Sequence, residues 1–182
     1  PCIFAFQLGL YELLCASGVP VDAVIGHSVG ETTAFHVAGV LDFAQAMKLV
    51  YHRGRLQQET AGNGVMLAVG LSEDDCVKLL QDCGGLVSIA AVNAISSTTL
   101  AGDKAKLEAI AKTLTKEDVF ARFVPVDVPF HSPAMDPILD ELMEKLADIE
   151  VKAPKIPLLS TVNAKWVSKE GNGHYWARNV RE

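Results

Sequence analysis

Apolar positions along this chain recur with two periods, and the switches between them mark its elements. Ile3, Phe6, Leu10 and Leu14 form one helical stripe over residues 1–16, which Ser17-Gly18 and Pro20 bring to an end. Ala23-Val24-Ile25 is a short apolar run that reads as a buried strand, and Glu31 to Val40 reads as a helix. Asp42 and Gln45 form a capping-box pattern at the start of a second helix, about 43–60. Gly62 and Gly64 then break the chain.

A different pattern follows. Residues 65–70 read as a strand, Ser72 caps a helix over 73–82, and Gly84-Gly85 close it. Strands are expected over 87–92 and 98–101, a helix capped by Asp103 runs to about 114, and a last strand covers 120–126. The order β-α-β-β-α-β is that of the ferredoxin-like split unit. It predicts a small subdomain over 65–127, inserted into a larger one made of 1–64 and 128–182. In the larger part, Ser132-Pro133 marks a helix start, and Ile138, Leu139, Leu142 and Leu146 give that helix a core face. Residues 157–162 read as a strand paired with a short one near 165–167, and His174 opens a further segment. The chain starts and stops inside elements, which is expected of a piece of a larger domain.

Composition narrows the function. Of 182 residues, 49% are hydrophobic and the net charge is −6, so a real core forms and nothing attracts nucleic acid or an anionic membrane. No run is long enough to span a bilayer, and no signal peptide opens the chain, which suits a cytoplasmic setting. Cys2, Cys15, Cys76 and Cys83 lack metal-ligand spacing and read as buried thiols, so no metal is expected.

Chemistry concentrates at Gly26-His27-Ser28-Val29-Gly30. Strand, Gly-x-Ser-x-Gly, helix is the nucleophile elbow, which lifts one hydroxyl above a sheet and aims the helix's free N–H groups at a developing oxyanion. A serine nucleophile needs a base. Of the five histidines, His27 sits beside Ser28 with its ring turned away, and a structural hydrogen bond suits it better. His36 and His52 lie on helices, and His174 lies in a glycine-flanked loop. His131 stands directly before the Ser132 cap, where a helix N-terminus disfavours imidazolium and keeps the ring able to accept a proton. Arg53 shares a helix face with Ala46, Val50 and Gln57, so its guanidinium needs an anion, either an internal carboxylate or one on a substrate. Arg55 falls nearly opposite and is expected in solvent.

Ser28, Arg53 and His131 together resemble the acyltransferase domain of polyketide and fatty acid synthases, relatives of malonyl-CoA:acyl carrier protein transacylase. The likeness rests on Gly-His-Ser-Val-Gly-Glu at 26–31, His-Arg-Gly-Arg at 52–55, Gly-Val-Met-Leu-Ala-Val at 64–69, Val-Pro-Phe-His-Ser-Pro at 128–133 and Tyr-Trp-x-x-Asn-x-Arg at 175–181. It implies an α/β fold, an α/β-hydrolase-like core with a parallel sheet and an inserted ferredoxin-like subdomain. It implies Ser28 as the acyl carrier, His131 as base and then acid, and the Val29 N–H as one oxyanion donor. The second donor belongs to a glutamine-bearing loop that these residues do not contain. Arg53 is then the grip on a free carboxylate, with Phe130, Met66 and His27 as further substrate contacts.

The implied substrate is malonyl-CoA or methylmalonyl-CoA, with no bound cofactor. The implied acceptor is the phosphopantetheine thiol of an acyl carrier protein, beside domains such as a ketosynthase. Val29 and Phe130 resemble the malonyl-selective members, whereas Val128-Pro129 departs from them. Two other readings use the same elbow: a serine hydrolase of the thioesterase kind, and a non-catalytic docking or spacer domain of a megasynthase.

Overall fold

The computed structural model describes all 182 residues. The helices are α1 (Cys2–Ala16), α2 (Gly30–Val37), α3 (Phe43–Glu59), α4 (Glu73–Leu80), α5 (Lys104–Lys116), α6 (Asp136–Lys145) and α7 (Gly173–Arg181). The strands are β1 (Val24–Ile25), β2 (Val65–Val69), β3 (Val87–Ala94), β4 (Ser97–Gly102), β5 (Ala121–Phe123) and β6 (Leu158–Leu159). They gather into two units, one of Pro1–Arg55 with Asp140–Asn179, the other of Leu56–Leu139 with Val180–Glu182.

In the first unit β1 lies parallel to β6, with Val24 opposite Leu158 and Ile25 opposite Leu159. A bridge from Leu159 to Trp166 extends the ladder antiparallel, as the 165–167 segment suggests. Phe35, Leu41, Leu49, Leu142, Leu146 and Trp176 are buried here. The Trp176 ring meets Phe35 edge-on at 4.9 Å, and its indole N–H donates to the Gly171 carbonyl at 2.8 Å. The capping box forms as written: Gln45 N donates to Asp42 Oδ1 at 2.9 Å and Asp42 N to Gln45 Oε1 at 3.2 Å.

The inward side of α1 is not its richest apolar stripe. Phe4 is the buried residue, with its ring 6.0 Å from His36 and 6.4 Å from Phe43. Gln7 accepts a hydrogen bond from Thr33 on the same side. Within these 182 residues Ile3, Phe6, Leu10 and Leu14 are exposed. Cys2 and Cys15 are exposed too, so only Cys76 and Cys83 match the expectation of buried thiols.

The second unit holds a four-stranded antiparallel sheet in the order β3-β4-β2-β5. Its strand order and its β-α-β-β-α-β succession are ferredoxin-like. Alternation along β2 divides its two faces: Leu67 and Val69 pack with Leu100, Leu107, Ile110 and Leu114, while Met66 packs with Ala90 and Ala101 on the other face. Both caps are real. Ser72 Oγ accepts from Asp75 N at 3.2 Å, and Asp103 Oδ1 accepts from Lys106 N at 2.9 Å.

Several ends differ from the expected ones. The strands at 120–126 and 157–162 shrink to β5 and β6, and α4 stops at Leu80 before a 3-10 turn over Gln81–Cys83. After the Ser132 cap, a 3-10 turn over Pro133–Met135 precedes α6. The segment opened by His174 is a helix, α7.

Candidate active site

The elbow occupies the tight turn between β1 and α2. A Cβ on Gly26 would lie 2.3 Å from the Gly30 carbonyl oxygen, so only hydrogen fits. Ser28 has a φ of 54°, a left-handed conformation that costs a non-glycine residue about 1–2 kcal/mol. Backbone bonds hold it there: Gly30 N donates to His27 O at 2.9 Å and Glu31 N to Ser28 O at 3.1 Å. Asn179 Nδ2, from α7, also reaches Ser28 O at 3.3 Å.

Arg53 reaches this turn from α3. It is 4% exposed, and Nη2 donates to Ser28 Oγ at 3.2 Å. Nε and Nη1 are buried with no hydrogen-bond partner. Burial pushes the guanidinium down to about 10, and the charge of Glu31 opposes that shift. The group therefore stays cationic at neutral pH while two of its nitrogens lack acceptors. Ala46, Val50 and Gln57 are buried with it, as the face assignment requires. Arg55 is not free in solvent: it is half-buried and pairs with Glu141 of α6.

Glu31, on the first turn of α2, is fully buried. Its Oε1 accepts from Thr161 N at 2.6 Å, and the Thr161 hydroxyl lies between Oε1, at 3.0 Å, and the Gly26 carbonyl, at 2.9 Å. Its Oε2 accepts from the Tyr175 hydroxyl at 2.9 Å and Asn179 Nδ2 at 2.7 Å. A backbone N–H, a phenol and a side-chain amide thus converge on its two oxygens. Burial first, then the Glu31 charge, pushes the Tyr175 hydroxyl well up, so it remains a donor. Glu31, Tyr175 and Asn179 stand in the motifs at 26–31 and 175–181, but their pairing, and Thr161, are not read from the sequence. One signal for the pairing lies in α7, where Tyr175 and Asn179 are four residues apart and share a face.

The other expected residues divide between the units. His27 is exposed and lines a cavity of about 370 Å³ with Gln7, Tyr11, Ile25 and Gly26, which neither Ser28 nor Arg53 lines. Val29 is the N-cap residue of α2. In the second unit, His131 is 6% exposed with a φ of 58°, and its carbonyl accepts from Ser88 Oγ at 3.2 Å. Ser132 Oγ donates to Pro129 O at 2.6 Å, which closes the turn around Phe130 and His131. Phe130 packs against the cluster that contains Met66, so these two are brought together. Of the remaining histidines, His36 bonds through Nδ1 to Leu41 O at 3.0 Å, and His174 is exposed at the start of α7. His52 is half-buried, and burial, with Arg55 next, pushes its pKa down. No group of His, Cys, Asp or Glu is placed to hold a metal ion. No helix is long and apolar enough to cross a membrane.

Comparison with known proteins agrees with this geometry. The family profile of the acyl transferase domain matches residues 1–182. The phenolphthiocerol synthesis polyketide synthase type I Pks15/1 of Mycobacterium marinum is 38% identical over 100% of this chain, which spans 9% of that protein. The acyltransferase domain from module 8 of the salinomycin polyketide synthase superposes with a TM-score of 0.95 at 33% identity, covering 98% of this chain and 42% of that one. The malonyl CoA-acyl carrier protein transacylase of Coxiella burnetii superposes with a TM-score of 0.86 at 28% identity, covering 97% of this chain and 58% of that one. With a serine elbow, a buried arginine on its hydroxyl and a family match along its whole length, this chain belongs to the acyl transferase domain family, whose members include domains of polyketide synthases.

Proposed function

We propose that this chain forms the core of an acyltransferase that moves a malonyl-type acyl group from coenzyme A, through an ester on Ser28, to the phosphopantetheine thiol of an acyl carrier protein. The observation that carries the reading is Arg53. A buried cation beside the nucleophile, with Nε and Nη1 unsatisfied, is costly unless an anion arrives. A thioester whose acyl group ends in a carboxylate supplies that anion next to the hydroxyl that must attack it. An acyl group without charge leaves the guanidinium unanswered.

The reaction runs in two halves. Ser28 Oγ attacks the thioester carbonyl and His131 takes its proton; the Val29 N–H donates to the oxyanion. The C–S bond then breaks, His131 protonates the departing coenzyme A thiolate, and the malonyl ester stays on Ser28. In the second half the carrier's thiol attacks that ester, its proton passes to His131 and on to Ser28 Oγ, and the acyl group leaves on the carrier. His131 takes this role from its place in the 128–133 motif, and its buried, left-handed backbone supports a fixed ring position. Phe130 and Met66 are assigned to the acyl pocket, where a phenyl ring leaves little room for a methyl on the acyl C2. One methyl is worth only about 1–3 kcal/mol, so malonyl is preferred over methylmalonyl to a limited degree. His27 is assigned to the outer part of the substrate channel. The inserted subdomain is assigned to residues 65–127, and the neighbouring domains of the parent synthase include a ketosynthase.

The test is to load the complete protein with radiolabelled malonyl-CoA and follow the label. A transferase holds it as an ester until a carrier thiol is added and then passes it on. Release as free malonate without a thiol would make the protein a hydrolase, and no labelling would make it a spacer.

A further inference from the structure

Glu31 is buried where the reaction chemistry does not use it, yet its partners are the groups that hold the nucleophile. Thr161 donates its backbone N–H to Glu31 Oε1 at 2.6 Å, and its hydroxyl reaches the Gly26 carbonyl at 2.9 Å, so the residue links the carboxylate to the start of the elbow. Asn179 Nδ2 lies 2.7 Å from Glu31 Oε2 and 3.3 Å from the Ser28 carbonyl, so it ties the same carboxylate to the centre of the elbow. The Tyr175 hydroxyl completes the set, backed by Ser160 Oγ at 2.6 Å. All these groups come from α7 and the loop after β6, outside the helix that carries Glu31.

We propose that Glu31 is a positioning residue for acyl transfer: through Asn179 and Thr161 it holds the Ser28 and Gly26 carbonyls and fixes the direction of the Ser28 hydroxyl. The proposal rests on Ser28 being the nucleophile. The elbow needs such a clamp because Ser28 sits in the left-handed region, where an L residue does not stay without support. A carboxylate suits the post because it only accepts. It orients the Asn179 amide with Nδ2 towards itself, and that same nitrogen faces the Ser28 carbonyl. Its oxygens are engaged by Thr161 N, the Tyr175 hydroxyl and Asn179 Nδ2, so its charge steadies Arg53 without occupying the donors that a substrate carboxylate would use.

Glu31→Gln separates this from a role in folding alone. The glutamine amide puts a donor where Asn179 already donates. The Asn179 amide then turns over, and its hold on Ser28 O is lost. The experiment measures single-turnover acylation of Ser28 by malonyl-CoA and acetyl-CoA in the complete protein, per mole of folded protein, alongside denaturant unfolding. Acylation is expected to fall roughly 10- to 100-fold for both substrates, the scale of a misaimed reacting group, with KM little changed.

The decisive variant is the swap Glu31→Gln with Asn179→Asp. It restores a donor–acceptor pair between the two side chains but presents an acceptor to the Ser28 carbonyl. Stability is expected to return while acylation stays low. Recovery of both stability and rate in the swap, or a wild-type rate in Glu31→Gln, would overturn the proposal. If Glu31→Gln does not fold, the swap decides alone, and if neither folds Asn179→Ala, which removes only the amide, must show the same loss. Failure of the wild-type protein to form an ester on Ser28 would instead refute the parent reading.

Discussion

Replacing Arg53 with alanine is expected to sort acyl groups by charge. In the wild type, Nη2 touches Ser28 Oγ while Nε and Nη1 have no acceptor. A substrate carboxylate placed against this guanidinium makes charge-assisted hydrogen bonds worth about 1.5–3 kcal/mol. Their loss lowers malonyl transfer by roughly 10- to 150-fold in kcat/KM. Acetyl transfer holds steady or rises, since the variant no longer leaves an unsatisfied cation beside the bound acyl group.

Stability moves the other way. Burial takes the guanidinium from 12.5 to about 10, a shift worth about 3 kcal/mol against the charged form. Because the folded pKa is depressed, that penalty is fully present at neutral pH and is relieved as pH rises above about 10. Arg53→Met, which fills the space without charge, is therefore expected to unfold no more easily than the wild type and to gain up to about 3 kcal/mol. The assay compares malonyl and acetyl transfer in wild type and Arg53→Ala, with denaturant unfolding of Arg53→Met. Equal loss for both substrates, joined to a less stable methionine variant, would show that Arg53 is a structural ion, and the carboxylate argument would fail.

Three further outcomes are expected. The preference for malonyl over acetyl is level around neutral pH and fades as pH rises through about 10, where the guanidinium loses its proton; the ratio of the two rates against pH measures it. His131→Ala slows acylation of Ser28 by roughly 10²- to 10⁴-fold with the circular dichroism spectrum preserved, and an unchanged rate would move the base elsewhere. Gly26→Ala drives a Cβ to 2.3 Å from the Gly30 oxygen, a backbone atom that cannot step aside; acylation by either substrate is expected to fall more than about 100-fold, and a normal rate would contradict the tight elbow.

Much of this site was legible because its parts obey short-range rules. The elbow is written in consecutive residues, where glycine has one steric reason to stand at 26. Arg53 was legible from the three- and four-residue spacing of Ala46, Val50 and Gln57, all of which are buried with it. The caps at Ser72 and Asp103 are local in the same sense, and so they form as written. What escaped was the long-range pairing. Glu31, Tyr175 and Asn179 stand in two separate motifs, and nothing local joins them, since Thr161, Tyr175 and Asn179 lie more than a hundred residues from Glu31 along the chain. Periodicity places α1 correctly, and within these 182 residues its Ile3, Phe6, Leu10 and Leu14 stripe is exposed. The side towards α2 and α3 is marked only by Gln7, bonded to Thr33, and Phe4, against His36 and Phe43, which a stripe of apolar residues does not single out. Arg55 failed for a related reason, since its partner Glu141 comes from a helix that nothing near 55 announces.

The account turns on Ser28 carrying the acyl group beside a cation that reads its charge. The most direct measurement is to expose wild type and Ser28→Ala to labelled malonyl-CoA, quench, digest, and locate the label by mass spectrometry. The account predicts an ester on Ser28 in the wild type and no labelled peptide in the alanine variant, with both proteins equally folded. A malonyl group retained in Ser28→Ala, or found on another residue of the wild type, would contradict it.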